Sequence, residues 1–287
     1  MKNFLMISIF ANAVILLSCN QQLQTAEIRK SLDAAIIDGQ AVTIRNTPAT
    51  TSIILLEQLD FRGNVVSFCS GTLISKNYVL TAAHCFDPKL VPGYSRSMVV
   101  FDNPYNFVRG QKSGAKVSLK SYSYAQHPEY NRQGLYDHDI AVVRFRGDIP
   151  AGYSFAKLDS NPHANYGGEK IYIYGFGRSV DYTGLSGENF YSTLGTLRRG
   201  ELIVADTYNE YPDRFRSLVS GKNSLCQGDS GGPQFLEDRG QFIQIAVNAA
   251  VDGKKLPNGI SSCVGASIGT KVASFYPWLR QNVRGLD

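Results

Sequence analysis

The chain contains no long run of lysine or arginine, no internal repeat, no proline-rich linker and no low-complexity tract. Its 29 basic and 24 acidic residues give a net charge of +5. That charge is not gathered into a stripe or tail, so no nucleic-acid surface is expected. The almost unbroken apolar stretch at residues 4–17 is shorter than the roughly 20 residues a membrane-spanning helix needs, and polar sequence follows it. Helical hydrophobic spacing is absent until residues 272–283, where Val272, Phe275, Tyr276, Leu279 and Val283 recur at that period and Pro277 limits where a helix can start. Cysteine is scarce, five in 287 residues, and its spacing fits no zinc-binding pattern. No metal and no organic cofactor is called for.

What remains is a globular composition, 43% hydrophobic with 27 glycines and 16 tyrosines, with enough length for one large or two small cores. The N-terminus reads as a targeting segment, with a positive charge at Lys2, the apolar stretch, and then Leu16-Leu17-Ser18-Cys19. This ending is similar to a bacterial lipoprotein signal, in which the cysteine becomes the lipidated first residue. Cys19 is the expected anchor, and an ordinary secretory signal with an incidental cysteine is the alternative. Residues 1–19 are set apart as signal and 20–35, polar and without a strand, as linker and propeptide. Apolar, β-branched stretches at 52–59 and 65–70 flank Arg62-Gly63-Asn64 as a hairpin. Leu73-Ile74 and Tyr78-Val79-Leu80 continue that pattern around a turn at Lys76-Asn77. Short strands and turn residues recur to about residue 146 and again from 170 to 270, the mark of an all-β sandwich or barrel protein.

One stretch organises the rest: Cys226-Gln227-Gly228-Asp229-Ser230-Gly231-Gly232-Pro233. A serine hydroxyl is a weak nucleophile. Chemistry at Ser230 needs a base for its proton, donors for a developing oxyanion, and a backbone that a substrate can approach. Gly228 can set its N–H beside that of Ser230 with no Cβ in the way. A bare Gly-Asp-Ser-Gly is often only a surface turn, so the base and its orienter decide the matter. Of four histidines, His84 stands out, since it follows a strand ending in Thr81-Ala82-Ala83 and abuts Cys85. His127, in His127-Pro128-Glu129-Tyr130-Asn131, is given no chemistry. For the acid, Asp139 directly precedes Ile140-Ala141-Val142-Val143, a strand that should be buried. Asp137, its rival, is read as capping the turn.

The blocks Cys69-Ser70-Gly71-Thr72-Leu73-Ile74, Thr81-Ala82-Ala83-His84-Cys85, Asp139-Ile140-Ala141-Val142-Val143 and Gly228–Pro233, in that order, resemble the chymotrypsin/trypsin family of serine endopeptidases over about residues 36–280. The resemblance implies two six-stranded antiparallel β-barrels, residues 36–150 and 151–287, with a short C-terminal helix. It makes His84, Asp139 and Ser230 a catalytic triad, with the backbone N–H groups of Gly228 and Ser230 as oxyanion hole. It joins Cys69 to Cys85 and Cys226 to Cys263, although four cysteines on their own allow three connectivities. Ile36-Ile37-Asp38-Gly39 is similar to the family's mature N-terminus. Cleavage before Ile36 would free an ammonium that pairs with Asp229, and Ala35 stands where trypsin-activated members have a basic residue.

In the family the base of the specificity pocket lies six residues before the nucleophile, here Ser224, with walls from Asn248, Ala249, Ala250 and Ser267. Serine at 224 offers no charge to a basic side chain, so a neutral one is expected. The resemblance implies protein or peptide substrates and a secreted or outer-surface location, periplasmic or lipid-anchored to a bacterial membrane; a monomer is expected. The alternative is a non-catalytic binding protein that keeps the fold. A lipase-type hydrolase is disfavoured, because no Gly-x-Ser-x-Gly elbow or βαβ pattern surrounds Ser230.

Overall fold

The computed structural model describes residues 36–101, 105–106, 111–112, 117–132, 136–179, 194–205, 212–218, 223–255 and 261–286. The signal, Cys19 and the linker lie outside the described residues. In chain order the elements are β1 (Gln40–Ala41), α1 (Pro48–Thr51), β2 (Ile53–Leu59), β3 (Val65–Ser75), β4 (Tyr78–Thr81), a 3₁₀ turn (Ala83–Phe86), β5 (Arg96–Phe101), β6 (Tyr105–Asn106), β7 (Gln111–Lys112), β8 (Val117–Gln126) and β9 (Ala141–Phe145). Then come β10 (Lys157–Leu158), β11 (Lys170–Gly175), β12 (Arg198–Val204), β13 (Arg214–Leu218), β14 (Pro233–Asp238), β15 (Gln241–Lys255), β16 (Ser261–Lys271), a second 3₁₀ turn (Val272–Phe275) and α2 (Tyr276–Asn282).

Strands β2-β3-β4-β9-β8-β5 close into one barrel. The order β12-β11-β14-β15-β16-β13, joined back by the β12–β13 pairing, closes a second. Both are antiparallel within the barrel. Side chains alternate faces along a strand, and that explains the unusually continuous apolar runs. In β2, Ile54 and Leu56 enter the core of the first barrel, whereas Ile53 and Leu55 enter an apolar layer shared with the second. In β11, Ile171 and Ile173 fill the second barrel's core, and Tyr172 and Tyr174 meet Ile53, Leu55, Val100 and Phe235 in the shared layer. Each of these strands is buried on both faces, so the two barrels are fixed against each other by packed side chains rather than by a tether.

The expected hairpin turn at 62–64 forms, closed by Asp60 N–H to Asn64 O at 2.9 Å and by Asn64 N–H to the Asp60 carboxylate at 2.8 Å. At the other expected turn, Asn77 takes a positive φ of 70°, a conformation asparagine tolerates. The chain ends cross over. Ile36 lies in the second barrel's core, and β1 pairs with β12. Phe275, Leu279 and Val283 pack into the first barrel's core, and Ser75 donates to Arg284 O at 2.6 Å. The expected helix at 272–283 begins as a 3₁₀ turn and becomes α-helical only at Tyr276, because Pro277 sits in the first turn, where its missing N–H costs nothing.

Phe145 is fully enclosed in the first barrel, edge-on to Phe101 at 6.1 Å. Phe145→Ala is expected to lower the unfolding free energy by about 3–5 kcal/mol, read from the midpoint of a denaturant melt.

Candidate active site

His84 sits in the 3₁₀ turn that follows β4, and Asp139 lies two residues ahead of β9, the strand paired with β4. That pairing brings the two side chains together. The Asp139 carboxylate is fully buried and receives two hydrogen bonds from His84, one from the backbone N–H at 2.8 Å and one shared with Nδ1 at 2.6 Å. The ring is thereby held at one nitrogen, and Nε2 remains for the cleft. Tyr136 packs its ring edge-on to His84 at 5.4 Å. Burial, and then the charges of Asp139 and Asp87, raise the Tyr136 phenol above its ordinary pKa, so it stays neutral beside the imidazole.

Ser230 belongs to the loop between Ser224 and β14. With His84 it lines a cleft of about 460 Å³ between the barrels. There is no direct hydrogen bond between the Ser230 hydroxyl and His84 among the described residues, and such contacts commonly tighten only when substrate is present. The loop is pinned from both sides. Gly231 N–H donates to Asn248 O and Asn248 N–H to Gly232 O, each at 2.8 Å. From the first barrel, Ser70 N–H donates to Ser230 O at 2.7 Å and the Ser70 hydroxyl to Gly228 O at 2.8 Å, while that hydroxyl accepts from Phe176 N–H at 3.0 Å.

Two glycines are required by space and angle together. Gly228 has φ +95°, and a Cβ there would lie 2.8 Å from Gly177 Cα. Gly231 has φ +81° and stands against the backbone of Ser70 and Ala82. The N–H groups of Gly228 and Ser230 donate to no described group.

Asp229 is fully buried between these residues. Its oxygens accept from Cys226 N–H at 2.9 Å and Gly177 N–H at 2.8 Å. Desolvation nevertheless outweighs those bonds and pushes its pKa up to about 7. Ile36 is completely enclosed nearby. Ile37 N–H donates to Ser224 O at 3.0 Å, and the Asn223 side-chain amide donates to Ile37 O at 3.2 Å. Residues 36 and 37 are therefore docked against the segment that leads into the Asp229–Ser230 loop.

Both expected disulfides form, Cys69–Cys85 and Cys226–Cys263, and so the open connectivity is resolved. The first ties the strand carrying Ser70 to the turn carrying His84. Disulfides of this kind fit an extracellular protein. Of the expected pocket residues, Asn248, Ala249 and Ala250 line the cleft, together with Gln227, Val251 and Cys263. Ser224 and Ser267 do not. Ser224 is buried, with its hydroxyl donating to Gly265 O at 3.3 Å, and Ser267 is buried behind it, accepting from Leu225 N–H at 3.3 Å. No acidic side chain is among the described lining residues. Asp137 does not cap its turn through its carboxylate; its carbonyl accepts from Asn131 N–H at 3.0 Å instead. His127 stacks on His138, away from the cleft lining. Sequence reading assigned no role to Ser70, Tyr136 or Gln227. Only Ser70 carried a hint, in its place beside a bridging cysteine.

Comparison with known proteins points one way. A family model described as Trypsin matches residues 36–279. The chain is 26% identical over 271 residues to a chymotrypsin of Phaedon cochleariae, covering 91% of this chain and 86% of the relative. It is 26% identical over 225 residues to cationic trypsin-3 of Rattus norvegicus, covering 75% and 80%. It is also 26% identical over 269 residues to the venom peptide isomerase heavy chain of Agelenopsis aperta, covering 86% and 100%.

The raised pKa of Asp229 has a measurable consequence. Its folded-state value, about 7, lies above the ordinary carboxylate value of 3.8, so the folded chain binds the proton more tightly than the unfolded one. Stability from this group is complete below about pH 4 and is lost as pH rises through 7, by up to about 4 kcal/mol. Uncleaved chain carrying Ser230→Ala should show this decline in denaturant melts across that window. Adding Asp229→Asn should flatten it.

Proposed function

Because the chain belongs to the trypsin family, we propose that it is a serine endopeptidase acting through Ser230, His84 and Asp139. The observation that carries this reading is the two-point clamp of Asp139 on His84, at 2.8 and 2.6 Å, beside a serine that shares its cleft. Ser230 Oγ attacks the scissile carbonyl carbon while His84 Nε2 takes its proton. Asp139 holds the imidazole tautomer and stabilises the cation that forms. The N–H groups of Gly228 and Ser230 bind the resulting oxyanion. Collapse breaks the C–N bond, the imidazolium passes its proton to the departing amine, and an ester on Ser230 remains. Water, deprotonated by the same imidazole, attacks that ester and regenerates the hydroxyl.

The chain is made as a precursor. Removal of the signal peptide and cleavage after Ala35 leave Ile36 as a free ammonium. Asp229, buried and desolvated, is the partner that such a charge would meet, and pairing removes the cost of ionising it. The activating protease must accept a small residue at Ala35. Substrates are proteins or peptides, cut by a secreted monomer; the lipid on Cys19 anchors the precursor, and cleavage after Ala35 releases the enzyme from it. A lining without acidic groups favours neutral side chains at the residue before the scissile bond.

Three measurements test this. A fluorophosphonate should label Ser230 in processed enzyme and leave Ser230→Ala unlabelled; absence of labelling in the parent favours a binding protein that only keeps the fold. Asp139→Asn should lower kcat by about 10⁴ with little change in KM, as expected when the imidazole is held in the wrong tautomer. In a peptide library, cleavage after neutral residues should exceed cleavage after Lys or Arg by at least about a hundredfold, since an unpaired buried charge costs about 3 kcal/mol or more.

A further inference from the structure

Next to Asp139 in the chain, a second cluster of polar groups has no part in this chemistry. Asp137 and His138 precede Asp139, and Asp213 precedes β13. One donor atom from each lies within 4.8 Å of the others. All three side chains are largely buried, at 6%, 18% and 13% exposure. Asp137 Oδ2 stands 3.0 Å from His138 Nδ1, and Asp213 Oδ2 stands 4.0 Å from the same nitrogen. Despite the 3.0 Å approach, Asp137 Oδ2 and His138 Nδ1 make no aligned hydrogen bond with each other or with another described group. Asp213 Oδ2 is also 3.4 Å from the His138 backbone N–H.

We propose that Asp137, His138 and Asp213 form a binding site for a divalent transition-metal ion of the zinc class. A buried carboxylate oxygen and a ring nitrogen that make no aligned hydrogen bond are costly, and a shared cation would satisfy both. The donor set, two carboxylates and an imidazole, carries two negative charges against the ion's two positive ones and leaves a fourth position for water, as in three-ligand zinc sites. Bonds of about 2.0–2.1 Å in a tetrahedron place donors about 3.3 Å apart, and the two observed separations from Nδ1 bracket that value. The other ring nitrogen, Nε2, lies 3.6 Å from the Glu129 carboxylate, the place usually taken by the outer partner that orients a metal-bound imidazole. The other His–Cys grouping in the fold cannot compete, because Cys69 and Cys85 are joined as a disulfide and offer no thiolate. An ion here would stiffen the segment that carries Asp139, since Ile140 N–H donates to His138 O at 2.8 Å.

Untagged full-length protein carrying Ser230→Ala, dialysed against zinc chloride and assayed for bound metal, tests the site without reference to catalysis. About one zinc per chain is expected, with X-ray absorption giving nitrogen and oxygen ligands at about 2.0–2.2 Å and no sulfur. Asp213→Asn and His138→Asn should each lose at least tenfold in affinity; asparagine keeps the positive φ of 50° at position 138 accessible. Glu129→Gln, a change at a half-exposed side chain, should weaken binding by about tenfold. The melting temperature should rise with zinc in the parent and stay unmoved in the Asp213 and His138 variants. Failure of the parent to bind zinc at millimolar concentration would overturn the proposal, and so would undiminished binding in all three variants.

Discussion

The position of Ser230 relative to His84 depends on Ser70. The two side chains come from different barrels, and a fraction of an ångström of slip between barrels would separate them. Ser70 reaches across with its N–H to Ser230 O and with its hydroxyl to Gly228 O, the two residues on either side of Asp229. Its own carbonyl accepts from the Thr81 hydroxyl at 2.9 Å, and Thr81 closes the strand that leads to His84. The neighbouring Cys69–Cys85 disulfide ties the strand of Ser70 covalently to the turn that carries His84. Base and nucleophile are thus referred to one fully buried residue. The apolar layer between the barrels keeps water from competing for those bonds, which makes each of them stronger than it would be at a surface.

Burial has the opposite consequence at Asp229. Two backbone N–H groups are not enough to offset the loss of water around a carboxylate, so the group holds its proton to near neutrality. A cation delivered into the same region changes the balance, because it stabilises the ionised form without rehydrating it. Ile36 is enclosed and Ile37 is bridged to Ser224, five residues before Asp229. Under the proposed activation, a charge freed at residue 36 would reach Gly228 and Ser230 through Asp229, which sits between them in the chain.

How much of this could be read beforehand depends on the range of each interaction. Local blocks were legible. The hairpin around Gly63, the histidine beside Cys85 and the serine among glycines are set by neighbours in sequence, and the family resemblance supplied the two-barrel plan. The alternation in β2 and β11 was not interpreted, because a run such as Ile53-Ile54-Leu55-Leu56 gives no sign of which face meets a second barrel. Ser224 and Ser267 illustrate the same limit. The family resemblance assigned them to a pocket, but where each side chain faces depends on pairing: Ser267 lies in β16, whose register against β15 shifts twice, and Ser224 is bridged to Ile37. The tie from Ser70 joins residues 158 and 160 positions apart, and no local pattern announces it.

The fold alone does not decide the reaction. Relatives of similar identity include a chymotrypsin and a protein named as a peptide isomerase, so one scaffold accommodates different outcomes at its cleft. What separates them must lie in how the cleft treats an acyl group and a proton. In this chain the imidazole is clamped at Nδ1, two backbone donors are unengaged, and the lining is neutral, with Asn248 holding the nucleophile loop through its side-chain amide to Asp229 O and Tyr174 O at 3.0 Å each. An arrangement of that kind stabilises negative charge on a carbonyl oxygen and positive charge on one ring, and little else. Those are the two charges that develop when an alcohol adds to an amide, which is why the geometry argues for acyl transfer more strongly than the family does.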